Sequence, residues 1–176
     1  TFSVVLSAAP AQAVTIVFAT AAGTATPGID YTTRSGTLTF AAGVTSRTVV
    51  VPVLGDTLDE EDETLFLNLS DPTGASIADF QAQATIVDND PLPSVSIADV
   101  FATEGQTGTS IVAFSATLSA IGGRNVLVPF STSAGTATAG ADYIAQTGTL
   151  TFVPGQTVAT VTVDIVGDAV VEPDET

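Results

Sequence analysis

The chain has 176 residues, three of them Lys or Arg against 19 Asp or Glu, for a formal net charge of −16. So acidic a chain repels phosphate and anionic lipid, and Arg34, Arg47 and Arg124 are too scattered to form a basic stripe, which excludes nucleic acid as a partner; no apolar run approaches the roughly 18 residues of a membrane helix, which excludes membrane insertion. Without histidine, cysteine or lysine the usual zinc, haem and iron–sulfur ligands and the nitrogen and sulfur nucleophiles are missing, leaving oxygen ligands of the kind that suit a hard cation such as calcium.

Alternating and β-branched runs predict strands throughout, and no segment has a helical apolar period. In chain order the first group is Phe2 to Leu6, Val14 to Thr20, Gly36 to Phe40, Thr48 to Val53, Leu65 to Leu69 and Ala84 to Val87. A second group comes at Val95 to Ala98, Ile111 to Leu118, Val126 to Ser131, Gly148 to Phe152 and Val158 to Ile165. Glycine, aspartate and proline mark the connections, with a turn expected at Asp71-Pro72-Thr73-Gly74. The alternation in Thr37-Leu38-Thr39-Phe40 puts Leu38 and Phe40 on one face, and Phe2, Phe18, Phe40, Phe66, Phe114, Phe130 and Phe152 are expected in the core.

The two groups are copies. FSVVLSAAP at Phe2 returns as FSATLSAIG at Phe114, GTATPGIDY returns as GTATAGADY, and SGTLTFAAG returns as TGTLTFVPG, at an offset of 114 − 2 = 112. The 176 residues therefore hold about one and a half repeats, cut at arbitrary phase from something longer. The join at Pro91 to Pro93 divides a first repeat, 1–91, from a second, 92–176. The first lacks a counterpart of Pro93 to Val112, its N-terminal strand region; the second lacks a counterpart of Leu65 to Asp90, its last two strands. Merging the copies gives seven strands per unit, which predicts an all-β fold of tandem Greek-key, immunoglobulin-like β-sandwiches, each truncated at its outer end.

Asp56, Asp59, Glu60, Glu61, Asp62 and Glu63 crowd one short segment after a strand. Taken alone, such a run is as well explained by a solvated acidic turn as by a cation site. The second copy dilutes it with Val170, Val171 and Pro173 yet keeps Asp168, Glu172, Asp174 and Glu175 in register, a spacing that solubility alone does not require. Further acids recur at loop ends: Asp30 and Asp142 before Tyr31 and Tyr143, Glu104, and Asp88-Asn89-Asp90. Loops gathered at one end of a sandwich supply the several oxygens that calcium takes.

The segments GTAT-x-G-x-DY, (S/T)GTLTF, GD…E-x-DET and TIVDND together resemble the Calx-beta domain, known from sodium/calcium exchangers and from large extracellular proteins. The resemblance covers practically the whole chain and implies calcium as the bound ion at one tip of each sandwich. In the first copy the implied ligands are Asp30, Asp56, the carbonyl of Leu58, Glu60, Glu63, Asp88 and Asp90. In the second they are Glu104, Asp142, Asp168, the carbonyl of Val170, Glu172 and Glu175. Asn89 interrupts the acidic triplet of the family's strongest sites, which implies fewer ions or weaker binding.

Catalysis is not expected, because paired carboxylates suited to glycoside hydrolysis lack any tryptophan for sugar stacking and are better explained by calcium. The leading expectation is a non-enzymatic, calcium-stiffened repeat of a secreted or cell-surface protein, acting as a stalk or adhesive module. Its partners would be further repeats of the same polypeptide, neighbouring subunits and a cell-surface ligand. The alternatives are a calcium-sensing regulatory domain and a self-assembling extracellular filament subunit completed by neighbouring strands.

Overall fold

The computed structural model describes residues 1–176 as eleven strands and no helix. Two compact units are present, one of Thr1–Thr57 with Glu61–Asn89, the other of Asp90–Thr176 with Leu58–Glu60.

The first unit contains β1 (Phe2–Val5), β2 (Val14–Ala22), β3 (Ser35–Phe40), β4 (Ser46–Val49), β5 (Glu63–Thr73) and β6 (Gln81–Ile86). One sheet pairs β1 with β4; the facing sheet has the order β3-β2-β5-β6, all antiparallel. Period-two alternation sends Phe2 and Val4 of β1, Val14 and Ile16 of β2, Leu38 and Phe40 of β3, and Leu65 and Leu67 of β5 into one core. Burying each of these larger side chains contributes about 1.5–3 kcal/mol, and their threonine and serine neighbours face outward.

The second unit contains β7 (Val95–Ile97), β8 (Gly108–Leu118), β9 (Val126–Ser131), β10 (Thr147–Phe152) and β11 (Val158–Gly167). Its sheets are β7-β8-β11 and β9-β10. Val112, Tyr143, Val161 and Val163 form one core cluster, and Ala116, Leu118 and Phe152 another. The β9-β10 sheet has no counterparts of β5 and β6, so this core is less covered: Val126, Val128 and Phe130 of β9 are only half-buried where Val14 and Ile16 of β2 are buried.

Three strand expectations need correction. The strand expected from Thr48 to Val53 is β4, Ser46–Val49, whose last residue pairs with Phe2; beyond it Val53 keeps a single bridge to Tyr31. The turn expected at Asp71 to Gly74 is instead a bulged continuation of β5, which reaches Thr73 opposite Thr15 after a register shift. Asp71 takes the left-handed conformation there (φ 47°), which its short polar side chain tolerates, and Pro72 sits where the ladder is already broken. Phe66 is half-buried, on the face opposite Leu65 and Leu67, so the leucines rather than the phenylalanine of this strand fill the core.

Candidate metal centre

Each repeat builds its acidic site on a short loop ending in Asp-Tyr. In the first, Gly28 adopts φ 86°, a conformation open to glycine and rarely to other residues, and its N–H donates to the carbonyl of Tyr31 at 2.8 Å. That reversal turns the Asp30 side chain back so that its Oδ2 accepts the Thr26 N–H at 2.6 Å, while the Asp30 N–H donates to the Thr26 carbonyl at 3.0 Å. The second repeat repeats each bond: Gly140 to Tyr143 at 2.8 Å, Thr138 N–H to Asp142 Oδ2 at 2.6 Å, and Asp142 N–H to Thr138 carbonyl at 2.9 Å.

The strand leading into the acidic segment is pinned to this loop. Tyr31 bridges Val53 and the Leu54 N–H donates to the Asp30 carbonyl at 2.8 Å; Tyr143 bridges Ile165 and the Val166 N–H donates to the Asp142 carbonyl at 2.9 Å. Beyond the acids, a threonine clasp closes the arrangement. The Thr64 N–H donates to Thr24 Oγ1 at 2.8 Å, and the Thr176 N–H donates to Thr136 Oγ1 at 2.8 Å.

These constraints bring together the carboxylates of Asp30, Glu60 and Glu63, and those of Asp142, Glu172 and Glu175, with oxygens within 4.8 Å of one another in each group. The differences 142 − 30, 172 − 60 and 175 − 63 all equal 112, the sequence offset of the repeat. Oxygens around a single calcium ion, each at about 2.3–2.6 Å, span at most about 5 Å, so each trio fits one ion and leaves further positions for carbonyls or water. Magnesium, with its tighter octahedron, fits less well.

Without a cation the carboxylates of the second trio repel. Desolvation, followed by the charges of Asp142, Asp168 and Glu104, raises the Glu172 carboxyl above its ordinary range. Glu175 is raised by desolvation, by Asp142 and Glu172, by a hydrogen bond with Asp142, and by Glu104.

Of the other expected ligands, Asp56, Asp88 and Asp90 stand outside the first trio, as Glu104 and Asp168 stand outside the second. Asp168 instead accepts the Val170 N–H at 2.6 Å, fixing the segment whose carbonyl was expected to ligate. The Asp88 N–H donates to Asp62 Oδ1 at 3.0 Å, which ties the closing segment of the first repeat to its acidic run. Glu104 and Asp168 are close enough to Glu172 to raise its carboxyl. Leu58 lies on the acidic segment of the first repeat, between Asp56 and Asp59.

Sequence reasoning missed one ion pair. Within the second unit Asp59, 3% exposed, accepts two bonds from Arg124, Nε to Oδ2 and Nη2 to Oδ1, each 2.7 Å. The copies differ in charge at both members, Asp59 against Val171 and Arg124 against Gln12, and that departure from the repeat was the available signal.

A β-sandwich with acidic carboxylate trios on its loops belongs to the class of calcium-binding β-sandwich modules. The chain belongs to the Calx-beta domain family, whose profile matches residues 1–90 and 99–176; calcium is the ion bound by domains of this family. It is similar to the sodium/calcium exchanger Calx of Drosophila melanogaster, with 30% identity over 144 residues, 78% of this chain and 14% of that protein. Similarity to sodium/calcium exchanger 1 of Canis lupus familiaris is 29% over 180 residues, 90% of this chain and 18% of that protein. The chain thus spans less than a fifth of the length of these curated relatives. Among solved structures, CBD12 from CALX1.2 is 25% identical, covering 99% of this chain and 76% of that one with a TM-score of 0.48. The calcium binding domain CBD12 of CALX1.1 is 26% identical, covering 92% and 67% with a TM-score of 0.49.

These matches correct one expectation. The relatives are sodium/calcium exchangers, so the secreted or cell-surface location inferred from acidity and missing thiols is overturned. An absence of cysteine is compatible with more than one compartment.

Proposed function

We propose that each repeat, 1–91 and 92–176, is a non-enzymatic calcium module whose ion is centred on its carboxylate trio. In the first repeat Asp30, Glu60 and Glu63 are joined by Asp56, the Leu58 carbonyl, Asp88 and Asp90; in the second, Asp142, Glu172 and Glu175 are joined by Glu104, Asp168 and the Val170 carbonyl. The observation that carries this reading is the recurrence of the same three-carboxylate geometry at the repeat offset. Binding removes mutual repulsion among the acids and orders the segment that carries them, which is a regulatory change of state. Tandem repetition favours a second reading, in which calcium stiffens an array of such repeats joined to one another.

Calorimetric titration of the 176-residue chain tests the proposal. Exothermic or endothermic calcium binding at two sites, with magnesium binding more weakly, is the expected result; no binding heat at millimolar calcium overturns it. Affinity separates the readings, since a sensor saturates near micromolar calcium and a stiffening module near 10⁻⁴ to 10⁻³ M.

A further inference from the structure

The two copies treat one sheet edge differently. Between them they contain every segment of the 112-residue repeat, and no segment pairs with the outer edge of β3 or of β10: β3 has only β2 beside it, and β10 only β9. The Thr132 N–H donates to the Gln146 carbonyl at 2.9 Å, so Gln146 and, by antiparallel alternation, Gly148, Leu150 and Phe152 turn their main-chain groups to β9. Thr147, Thr149 and Thr151 therefore aim N–H and C=O away from the sheet, and all three are exposed. In the first copy the Thr20 N–H donates to the Arg34 carbonyl at 2.8 Å, which leaves Ser35, Thr37 and Thr39 facing outward in the same way.

Only the first of these edges is guarded. Arg47 of β4 extends its side chain to this row, where its Nε donates to the Thr39 carbonyl at 2.8 Å and sets a charge on the edge. The residue at the repeat offset from Arg47 is Ala159, so the matching carbonyl, that of Thr151, has no such cap. No charged residue occurs anywhere from Ile144 to Val163. Natural sheets keep a free edge from pairing by means of a charge, a proline or a cover, and Thr147–Phe152 has none of them.

The strand is also complementary to itself. Two copies of Thr147–Phe152 laid antiparallel about a two-fold axis at Thr149 pair Thr149 with its twin and Thr147 with Thr151, and each such pair exchanges both of its main-chain hydrogen bonds. On the solvent face threonine then meets threonine. On the core face Gly148 meets Leu150 of the second copy, so a large side chain lies against none and overpacking does not oppose the register.

We propose that the outer edge of β10 is a homodimer interface, at which a second copy of this chain adds its own β10 antiparallel and joins the two β9-β10 sheets into one. Arg47 holds the first repeat out of such pairing, so association stops at two chains. No calcium ligand takes part, and this proposal and the ion-site reading fail separately.

Sedimentation of the 176-residue chain over a concentration series, in calcium and in chelator, tests the proposal. A monomer–dimer equilibrium is expected in both conditions, with amide exchange at Thr147, Thr149 and Thr151 slowing as dimer forms. Ala159→Arg, which copies Arg47, should weaken the dimer by roughly tenfold or more, and so should Thr149→Pro, which removes an outward N–H that the β9 ladder does not use. Arg47→Ala should do the opposite, opening β3 and carrying assembly beyond the dimer. A chain that stays monomeric at millimolar concentration, an Ala159→Arg dimer as tight as the parent's, or exchange slowed at β9 while the three threonines exchange freely would each overturn the proposal.

Discussion

The two acidic sites share a blueprint and differ in burial and in charge. In the first, Asp30 is 8% exposed, Glu60 and Glu63 are half-buried, and Glu63 opens the eleven-residue strand β5. In the second, Asp142 is half-buried, while Glu172 and Glu175 are exposed. The loop bonds of Asp30 and Asp142 agree to within about a tenth of an ångström, so local chain chemistry sets where the aspartate points. The acidic segments also differ in charge, six carboxylates from Asp56 to Glu63 against four from Asp168 to Glu175, and ligand charge is one of the things that sets calcium affinity.

If that comparison is right, calcium should stabilise the first unit at lower concentration than the second. At a hundredfold excess over Kd the gain is about 2.7 kcal/mol for a site present only in the folded state, read as a rise in thermal midpoint. Equal midpoints in chelator and in millimolar calcium would break the ion-site reading, and simultaneous saturation of both units would break the ranking.

The next effect in size concerns Asp59, where the copies part company. Arg124→Ala should destabilise the second unit by about 1–3 kcal/mol, because it leaves a buried carboxylate without its bidentate partner. Arg124→Ala combined with Asp59→Ala should recover much of that loss in a denaturant titration, whereas Val171→Ala, at a position 99% exposed, should be within about 0.5 kcal/mol of the parent.

Glu60→Gln with Glu63→Gln should remove calcium stabilisation by the first repeat's site, and leave calcium-free stability unchanged or raised by under about 1 kcal/mol as repulsion is relieved. The corresponding Glu172→Gln with Glu175→Gln should do the same for the second. A double variant binding calcium as tightly as the parent would show that its trio is a solvated turn.

The smallest effect is in pH. Because Glu172 and Glu175 titrate above their ordinary range, the folded form holds those protons more tightly than the unfolded chain. The calcium-free second unit should therefore be favoured at low pH and lose that contribution as pH rises from about 4.3 through the raised values. Saturating calcium should reverse the slope, since acidification then displaces the ion. Thermal midpoints across mildly acidic pH, with and without calcium, read the sign directly.

Much of the architecture was legible because period two is a strong signal. All eleven expected strands form, Leu38 with Phe40 faces inward as read, and both trios come from residues that the repeat had already aligned. The strand ends were less legible. Whether Asp71-Pro72 turns the chain or bulges it depends on the register against β2. Phe66 was misplaced because size was allowed to outweigh parity beside Leu65 and Leu67. The Asp59 to Arg124 pair was missed since the two lie 65 residues apart and neither recurs in the other copy. Location was misread because acidity carries no address.

The two aromatic hydroxyls have an optical consequence. The sequence has two tyrosines and no tryptophan, and each tyrosine directly succeeds the aspartate of one trio, Tyr31 fully enclosed and Tyr143 nearly so. Ultraviolet emission from the chain therefore originates at two points, one beside each site, with no stronger fluorophore to mask it. The Tyr31 hydroxyl is buried without a hydrogen-bond partner, so its ring has a surrounding distinct from that of its twin. Single Tyr→Phe replacements would silence one lamp at a time, and the quenching or brightening of the other would track ion occupancy in one repeat without any attached dye.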